Sequence, residues 1–244
     1  MTESSYARSA RFYDLIYGGK PYEDEAERVH GVIQKHLRSG GNALLDVGCG
    51  SGNHLAHLRR HYRCDGVDLD AGLLAIARER YPDSGFHQRD MAKFDLGRRY
   101  DAIVCLFSAI GYVKTGERLG QTVRTFARHL LPGGVVIVEP WLPPGVFVPG
   151  TVRVDTPQAP GVHVVRMVHG GMSGELSVLT FSYLIGREEG IEHFQERHEL
   201  GLFTREEMMD AFHGAGLQVV EHDPQGLTGR GLYVARQPDP AAEP

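Results

Sequence analysis

Residues 43–53 read ALLDVGCGSGN. A short apolar run, Ala43 to Val47, stops at an alternation of glycines, Gly48, Gly50 and Gly52, with Asn53 behind them. An apolar run bounded by glycine predicts a buried strand. Glycine lets the backbone approach a ligand closely, and the N-terminus of the following helix then faces that ligand. On their own the three glycines fit an ordinary strand-to-helix turn equally well. Two details sharpen the reading. A dinucleotide fingerprint wants a third glycine where Asn53 stands, so provision for a pyrophosphate is incomplete. Asp68 ends the next predicted strand, about twenty residues on, where an acid accepts hydrogen bonds from a ribose diol. Together they describe a nucleoside site.

Working outward, residues 21–38 predict a helix with Pro21 at its first position, acids in its first turn and basic residues in its last. After the glycine loop come a helix (NHLAHLRRHY), a strand (CDGVDLD), a helix (AGLLAIARERY) stopped by Pro82, and a short strand (GFHQRDM). An apolar strand (YDAIVCLFSAI), a helix (ERLGQTVRTFARHLL) halted at PGG, and a fifth strand (VVIVEP) follow. Strands apolar on both faces and alternating with helices predict a parallel sheet covered on both sides.

The pattern changes after Pro140. A proline-rich connector leads to runs whose apolar residues alternate with polar ones, predicting antiparallel strands with one face exposed. Thr204 and Glu207 stand at capping-box spacing before a last helix, and LQVVEHD and GLYVARQ predict two closing strands. The chain thus divides into 1–140, an N-terminal segment and cofactor-binding core; 141–201, an antiparallel insertion; 202–237, a return to the core; and 238–244, a Pro- and Ala-rich tail expected to be disordered.

At 244 residues and a net charge of −5, the chain lacks the basic stripe of a nucleic-acid binder. No stretch is long and apolar enough to cross a membrane, and the N-terminus has no apolar signal region. Three cysteines without a Cys-x-x-Cys pair indicate a reducing, cytoplasmic setting, and the thirteen histidines lack zinc-site spacing. Cys49 reads as a small filler. Arg166, His169 and His198 read as half-exposed strand residues.

The motifs LLDVGCGSGN, GVDLD, RDM and LLPGG, in this order over residues 43–138, resemble those of class I S-adenosylmethionine-dependent methyltransferases. That resemblance implies an α/β fold: a seven-stranded, mostly parallel, Rossmann-like sheet whose last strand runs antiparallel, here with the β insertion after strand five. It implies S-adenosyl-L-methionine as cofactor. Asp46 would lie near the methionine amino group, Gly48 and Gly50 under the cofactor, Asp68 on the ribose, and Leu69 against the adenine. Asp90 and Met91 would contact the adenine edge, and Phe107 and Ser108 would line the transfer pocket. The opening YDLIYGGKPY is similar to the lid segment of small-molecule methyltransferases, which assigns Tyr17 and Tyr22 to the lid. Lys20 would neutralise a cofactor carboxylate or a substrate phosphate, or stand as a solvated surface lysine.

CLFSAIGYV, FARHLLPGGVVIVEPWLPP, RHELGLFTREEM and GLTGRGLYVA resemble the bacterial nucleotide-sugar amine N,N-dimethyltransferases. Sugar-modifying members carry a histidine where Tyr112 stands. The resemblance implies methyl transfer to a small-molecule amine, with Tyr17 and Tyr112 orienting it or receiving its proton, or simply packing; Arg230 clamping a diphosphate, or standing as a hairpin arginine in water; and Trp141 walling the acceptor pocket, or plugging the core. It implies a homodimer, with no nucleic-acid or membrane partner. Another small amine, carboxylate or hydroxyl acceptor, and a non-catalytic cofactor-binding module, are the competing readings.

Overall fold

The computed structural model describes residues 8–239. Tyr6 and the last five residues of the expected tail lie outside them.

Five parallel strands form the frame: β1 (Ala43–Val47), β2 (Arg63–Asp68), β3 (Phe86–Gln88), β4 (Tyr100–Cys105) and β5 (Leu130–Val138). β11 (Gln218–Asp223) and β12 (Leu232–Arg236) complete a seven-stranded sheet in the order β11-β12-β5-β4-β1-β2-β3. β12 runs antiparallel to both its neighbours. β1 and β4 are buried at every position. Alternate residues feed two cores, because successive side chains on a strand point to opposite faces. Leu45, Val47, Ile103 and Cys105 pack with Phe126 of α5 (Gly116–Arg128) and with Met208 and Phe212 of α6 (Arg205–Gly214). Leu44, Ala102 and Val104 pack on the other face with α2 (Tyr22–His36), α3 (Leu55–Leu58) and α4 (Ala71–Arg80).

Local chemistry explains three departures from the expected boundaries. Pro21 caps α2 rather than opening it. The helix after the glycine loop is only four residues long and continues as turns through Tyr62, because β2 must begin at Arg63, opposite Ala43. The Pro132-Gly133-Gly134 stretch lies inside β5, as an irregularity opposite Tyr100–Ala102. Gly133 has φ +75°, and a Cβ there would fall 2.9 Å from the Arg38 carbonyl carbon, so only glycine fits.

The insertion forms a second, antiparallel sheet of β6 (Val152–Asp155), β7 (Gln158–Ala159), β8 (Val162–Ser173), β9 (Leu176–Arg187) and β10 (Gly190–Gly201). Its inner face, with Val164, Phe181, Tyr183, Ile185 and Phe194, is covered by Phe12, Leu15 and Ile16 of the N-terminal segment. That segment includes the short α1 (Tyr13–Tyr17). Arg8 and Ser9 donate their backbone N–H groups to Glu196 on β10. Asp14 accepts from Ser51 and Asn53 of the glycine loop. One strap therefore ties the insertion to the core.

The capping box forms as expected: Thr204 Oγ1 accepts from the Glu207 N–H, and Glu207 accepts from the Thr204 N–H. Thr204→Ala is expected to lower stability by about 1 kcal/mol in urea unfolding, without a change in slope.

Candidate functional site

Chain order along the sheet reverses between β1 and β4, where a crevice opens at the carboxyl ends of open α/β sheets. The glycine loop leaves β1 on one side of the crevice. A 3₁₀ turn, Ala109–Val113, follows β4 on the other. They touch: a Cβ at Gly48 would lie 2.5 Å from the Ala109 Cβ. Beneath them lies a cavity of about 430 Å³. Gly48, Gly50, Asp68, Leu69, Asp90, Met91, Tyr22, Phe107 and Tyr112 all line it, as do Tyr13, Asn53 and Arg118.

The floor is acidic. Asp68 Oδ2 accepts from the Gly50 N–H and Oδ1 from the Asp70 N–H, each at 2.8 Å. Asp46 lies just below the lining, and its buried Oδ2 has no hydrogen-bond partner. Burial, reinforced by the charge of Asp68, pushes the Asp46 carboxyl up to about 7. Burial also raises Asp68, against the pull of its amide donors. No ion pair from the chain neutralises either among the described residues. This is a site built for a ligand with cationic and hydroxyl groups. Beside it Leu69 is 59 % exposed, an apolar platform at the end of β2. Asp90 receives the Arg118 guanidinium on both oxygens, at 2.9 and 2.8 Å, which outweighs burial and holds its carboxyl below the usual range.

The roof comes from the N-terminal strap. Tyr13 and Tyr22 border the cavity; Tyr17 stands behind them, its ring 4.7 Å from Tyr13 and 5.3 Å edge-on to Phe107. One turn on from Tyr13 and on the same helix face, Tyr17 is taken up by Phe107 and by the Arg166 guanidinium 4.8 Å over its ring. Lys20 pairs with buried Glu25, which also meets His54 Nε2 at 2.7 Å, and its ammonium lies over the Tyr22 and Phe107 rings.

Next to the cavity lies a second group. Phe107 and Ser108 both adopt left-handed backbone conformations, φ +51° and +62°, which are costly away from glycine. Glu139, fully buried at the end of β5, holds them there: Oε2 accepts from the Phe107 N–H at 2.6 Å, and Oε1 accepts from Thr228. Ser108 Oγ donates to the Pro140 carbonyl and accepts from Arg230 at 3.1 Å. The Arg230 guanidinium lies 4.8 Å over Trp141 and 5.8 Å over Phe107. The Trp141 Nε1–H donates to Ser177. Phe107, Ser108, Trp141 and Arg230 therefore form one cluster.

Two insertion residues read as half-exposed are buried. Arg166 lies over the rings of Tyr17 and Phe181, paired with Asp155. His198 meets the Tyr112 hydroxyl at 2.6 Å. Cys49 is buried, and burial raises its thiol, as suits a filler. Sequence reasoning missed Glu139, Arg118 and the site-facing role of Tyr13. A glutamate ending an apolar strand before Pro140 was the available signal for the first.

Residues 44–134 match a family model described as a methyltransferase domain. Over 229 residues the chain is 43% identical to the dTDP-3-amino-3,6-dideoxy-alpha-D-glucopyranose N,N-dimethyltransferase of Streptomyces fradiae, covering 92% of this chain and 89% of that one. The crystal structure of Streptomyces venezuelae DesVI superposes with a TM-score of 0.87 at 39% identity, covering 93% of this chain and 97% of that one. The S-adenosylmethionine-bound CalS10, an amino pentose methyltransferase from Micromonospora echinaspora, superposes at 0.81 and 35% identity, covering 97% and 98%. Fold, cavity and likeness together define an S-adenosylmethionine-dependent methyltransferase. Within that class the chain belongs to the DesVI-type sugar N,N-dimethyltransferase family.

Glu139→Ala leaves the buried Phe107 N–H without an acceptor. Urea unfolding is expected to show a loss of about 1–3 kcal/mol.

Proposed function

We propose that the protein N,N-dimethylates the amino group of a dTDP-linked amino sugar. The near-full-length likeness to a dTDP-amino-sugar dimethyltransferase carries this reading. Arg230 supports it. The guanidinium has no carboxylate ion pair among the described residues; burial lowers its pKa, against the nearby charge of Glu139 and with a smaller push from Arg153. A half-buried guanidinium stacked on Trp141 and outside any carboxylate ion pair among the described residues suits a diphosphate, which it can grip with two parallel hydrogen bonds.

S-adenosylmethionine supplies an electrophilic methyl group on a sulfonium. The unpartnered Asp46 Oδ2 fits the cationic end of its methionine portion. Asp68 presents carboxylate lone pairs to the ribose, and Leu69 gives the adenine an apolar face. Tyr13 and Tyr22 exclude water from above. The 3₁₀ turn and the strained Phe107–Ser108 backbone fix the acceptor side, so that the amine nitrogen can be held at roughly 3–3.5 Å from the methyl carbon. A cytoplasmic location fits three free, buried thiols, and no described helix is long and apolar enough to cross a membrane.

Incubation with S-adenosylmethionine and a dTDP-linked 3-amino sugar is expected to yield a product bearing two added methyl groups by mass spectrometry. Arg230→Ala should raise KM for the sugar by roughly 10- to 100-fold, the value of a charged hydrogen bond, and leave S-adenosylhomocysteine affinity unchanged. An unmodified sugar, or an unchanged KM in the variant, counts against the reading.

Asp46 gives a pH signature. Below about pH 7 the free site holds a proton on Asp46, which must leave before the carboxylate can receive a cation. S-adenosylhomocysteine affinity should therefore be constant above that pH and weaken by about tenfold per unit below it. Calorimetry across this range should show the slope in the wild type and a flat, weaker response in Asp46→Asn. An equal slope in both would exclude Asp46.

A further inference from the structure

Tyr112 and His198 are 86 residues apart in the chain, yet their side chains meet inside the protein. Tyr112 sits on the 3₁₀ turn after β4 and lines the cofactor cavity. His198 lies on β10 of the insertion and is 1 % exposed. The Tyr112 hydroxyl and His198 Nδ1 are 2.6 Å apart. The far ring nitrogen, Nε2, faces the buried Glu196, 3.9 Å from Oε2. The other Glu196 oxygen accepts the backbone N–H groups of Arg8 and Ser9, at 3.0 and 2.9 Å. Phe181 stands edge-on to the imidazole at 4.7 Å and fixes its plane.

The carboxylate facing the ring gives the Tyr112–His198 hydrogen bond its preferred direction. A carboxylate beside Nε2 favours the tautomer with its proton there. Nδ1 is then an acceptor, and the Tyr112 hydroxyl donates to it. The nearby His198 ring and the hydrogen bonds from Ser9 and Arg8 outweigh burial and keep the Glu196 carboxyl below its usual range. The row runs from the cavity wall, through an imidazole, to a carboxylate anchored by the N-terminal strap.

The chemistry of the proposed reaction supplies a task for such a row. The amine lone pair forms the new N–C bond, and the electron pair of the C–S bond returns to sulfur. The nitrogen is left positively charged, with one proton to lose. A second methylation requires that proton to leave first, because a protonated amine has no lone pair. Tyr13, Tyr22 and Tyr112 line one cavity, so a protein group stands within it to take the proton.

Resting on the amino-sugar reading above, we infer that Tyr112, His198 and Glu196 form a proton relay that takes up the proton released at the acceptor nitrogen. Tyr112 is the group that meets the amine. Its oxygen receives the amine proton as its own hydroxyl proton passes to His198 Nδ1. The resulting imidazolium is balanced by Glu196. His198 and Glu196 are positioning residues that act through Tyr112.

The test uses Tyr112→Phe, His198→Gln and the double variant, assayed with S-adenosylmethionine and the dTDP-linked amino sugar. Each single change is expected to lower kcat by roughly 100-fold, the low end of what a positioned acid or base contributes. KM for both substrates should stay within about twofold, and the double variant should be no slower than either single one, as for residues acting as a unit. Products should shift toward the monomethylated sugar. Tyr112→Phe removes only a hydroxyl, so it answers the question even where His198→Gln fails to fold; S-adenosylhomocysteine titration reports the intact cofactor site. Wild-type kcat in Tyr112→Phe, or losses in KM that add in the double variant, would overturn the relay and leave the substrate reading standing. A wild-type enzyme that does not methylate the sugar overturns both.

Discussion

Two carboxylates, Asp46 and Asp68, sit together at the carboxyl ends of β1 and β2, with no ion pair from the chain among the described residues. Burying an uncompensated carboxylate is costly, and here burial shows itself by driving Asp46 toward its neutral form. The rest of the site follows from making that arrangement tolerable. Amides of Gly50 and Asp70 are spent on Asp68, which forces the glycine loop into positive φ and fixes its distance from β2. The loop must lie against the turn after β4, hence no side chain at Gly48. Negative charge is thus stored in a parallel-sheet crevice until a cationic ligand arrives.

A third carboxylate does different work. Glu139 forms no ion pair among the described residues; it grips the backbone of Phe107 and the hydroxyl of Thr228. Its hydrogen bonds hold two non-glycine residues in left-handed conformations, and so decide where the Phe107 ring, Ser108 and the stacked Arg230 stand. One carboxylate pair waits for a ligand while another carboxylate shapes the wall opposite. The same functional group serves opposite ends: Glu139 takes amide and hydroxyl donors from the fold, whereas Asp46 Oδ2 is left without one.

The core was legible because its physics is local. Apolar runs bounded by glycine, and an acid at the end of β2, act within one βαβ unit, and the motifs at Asp68, Leu69, Asp90 and Met91 reach the cavity from consecutive elements. What was hidden depends on distant segments meeting. His198 finds Tyr112 only after the insertion folds back on the 3₁₀ turn. An alternating strand pattern tells which residues face inward, not what they will meet. Tyr13 and Tyr17 share a face of one short helix, yet Tyr13 lines the cavity while Tyr17 packs against Phe107 and, from the insertion, Arg166. The boundaries that moved, at Pro21, after Leu58 and at Pro132, moved because strand register overrode local propensity.

The strap of residues 8–17 holds the glycine loop through Asp14 and the insertion sheet through its amides on Glu196 and the Phe12 ring. Ordering such a segment has a conformational cost that enters the free energy once, however many ligands it covers. A cofactor that seats the strap relieves the acceptor of that cost, and the acceptor does the same for the cofactor by an equal factor. A ligand that bears on this strap therefore bears on the glycine loop and on the insertion sheet at once.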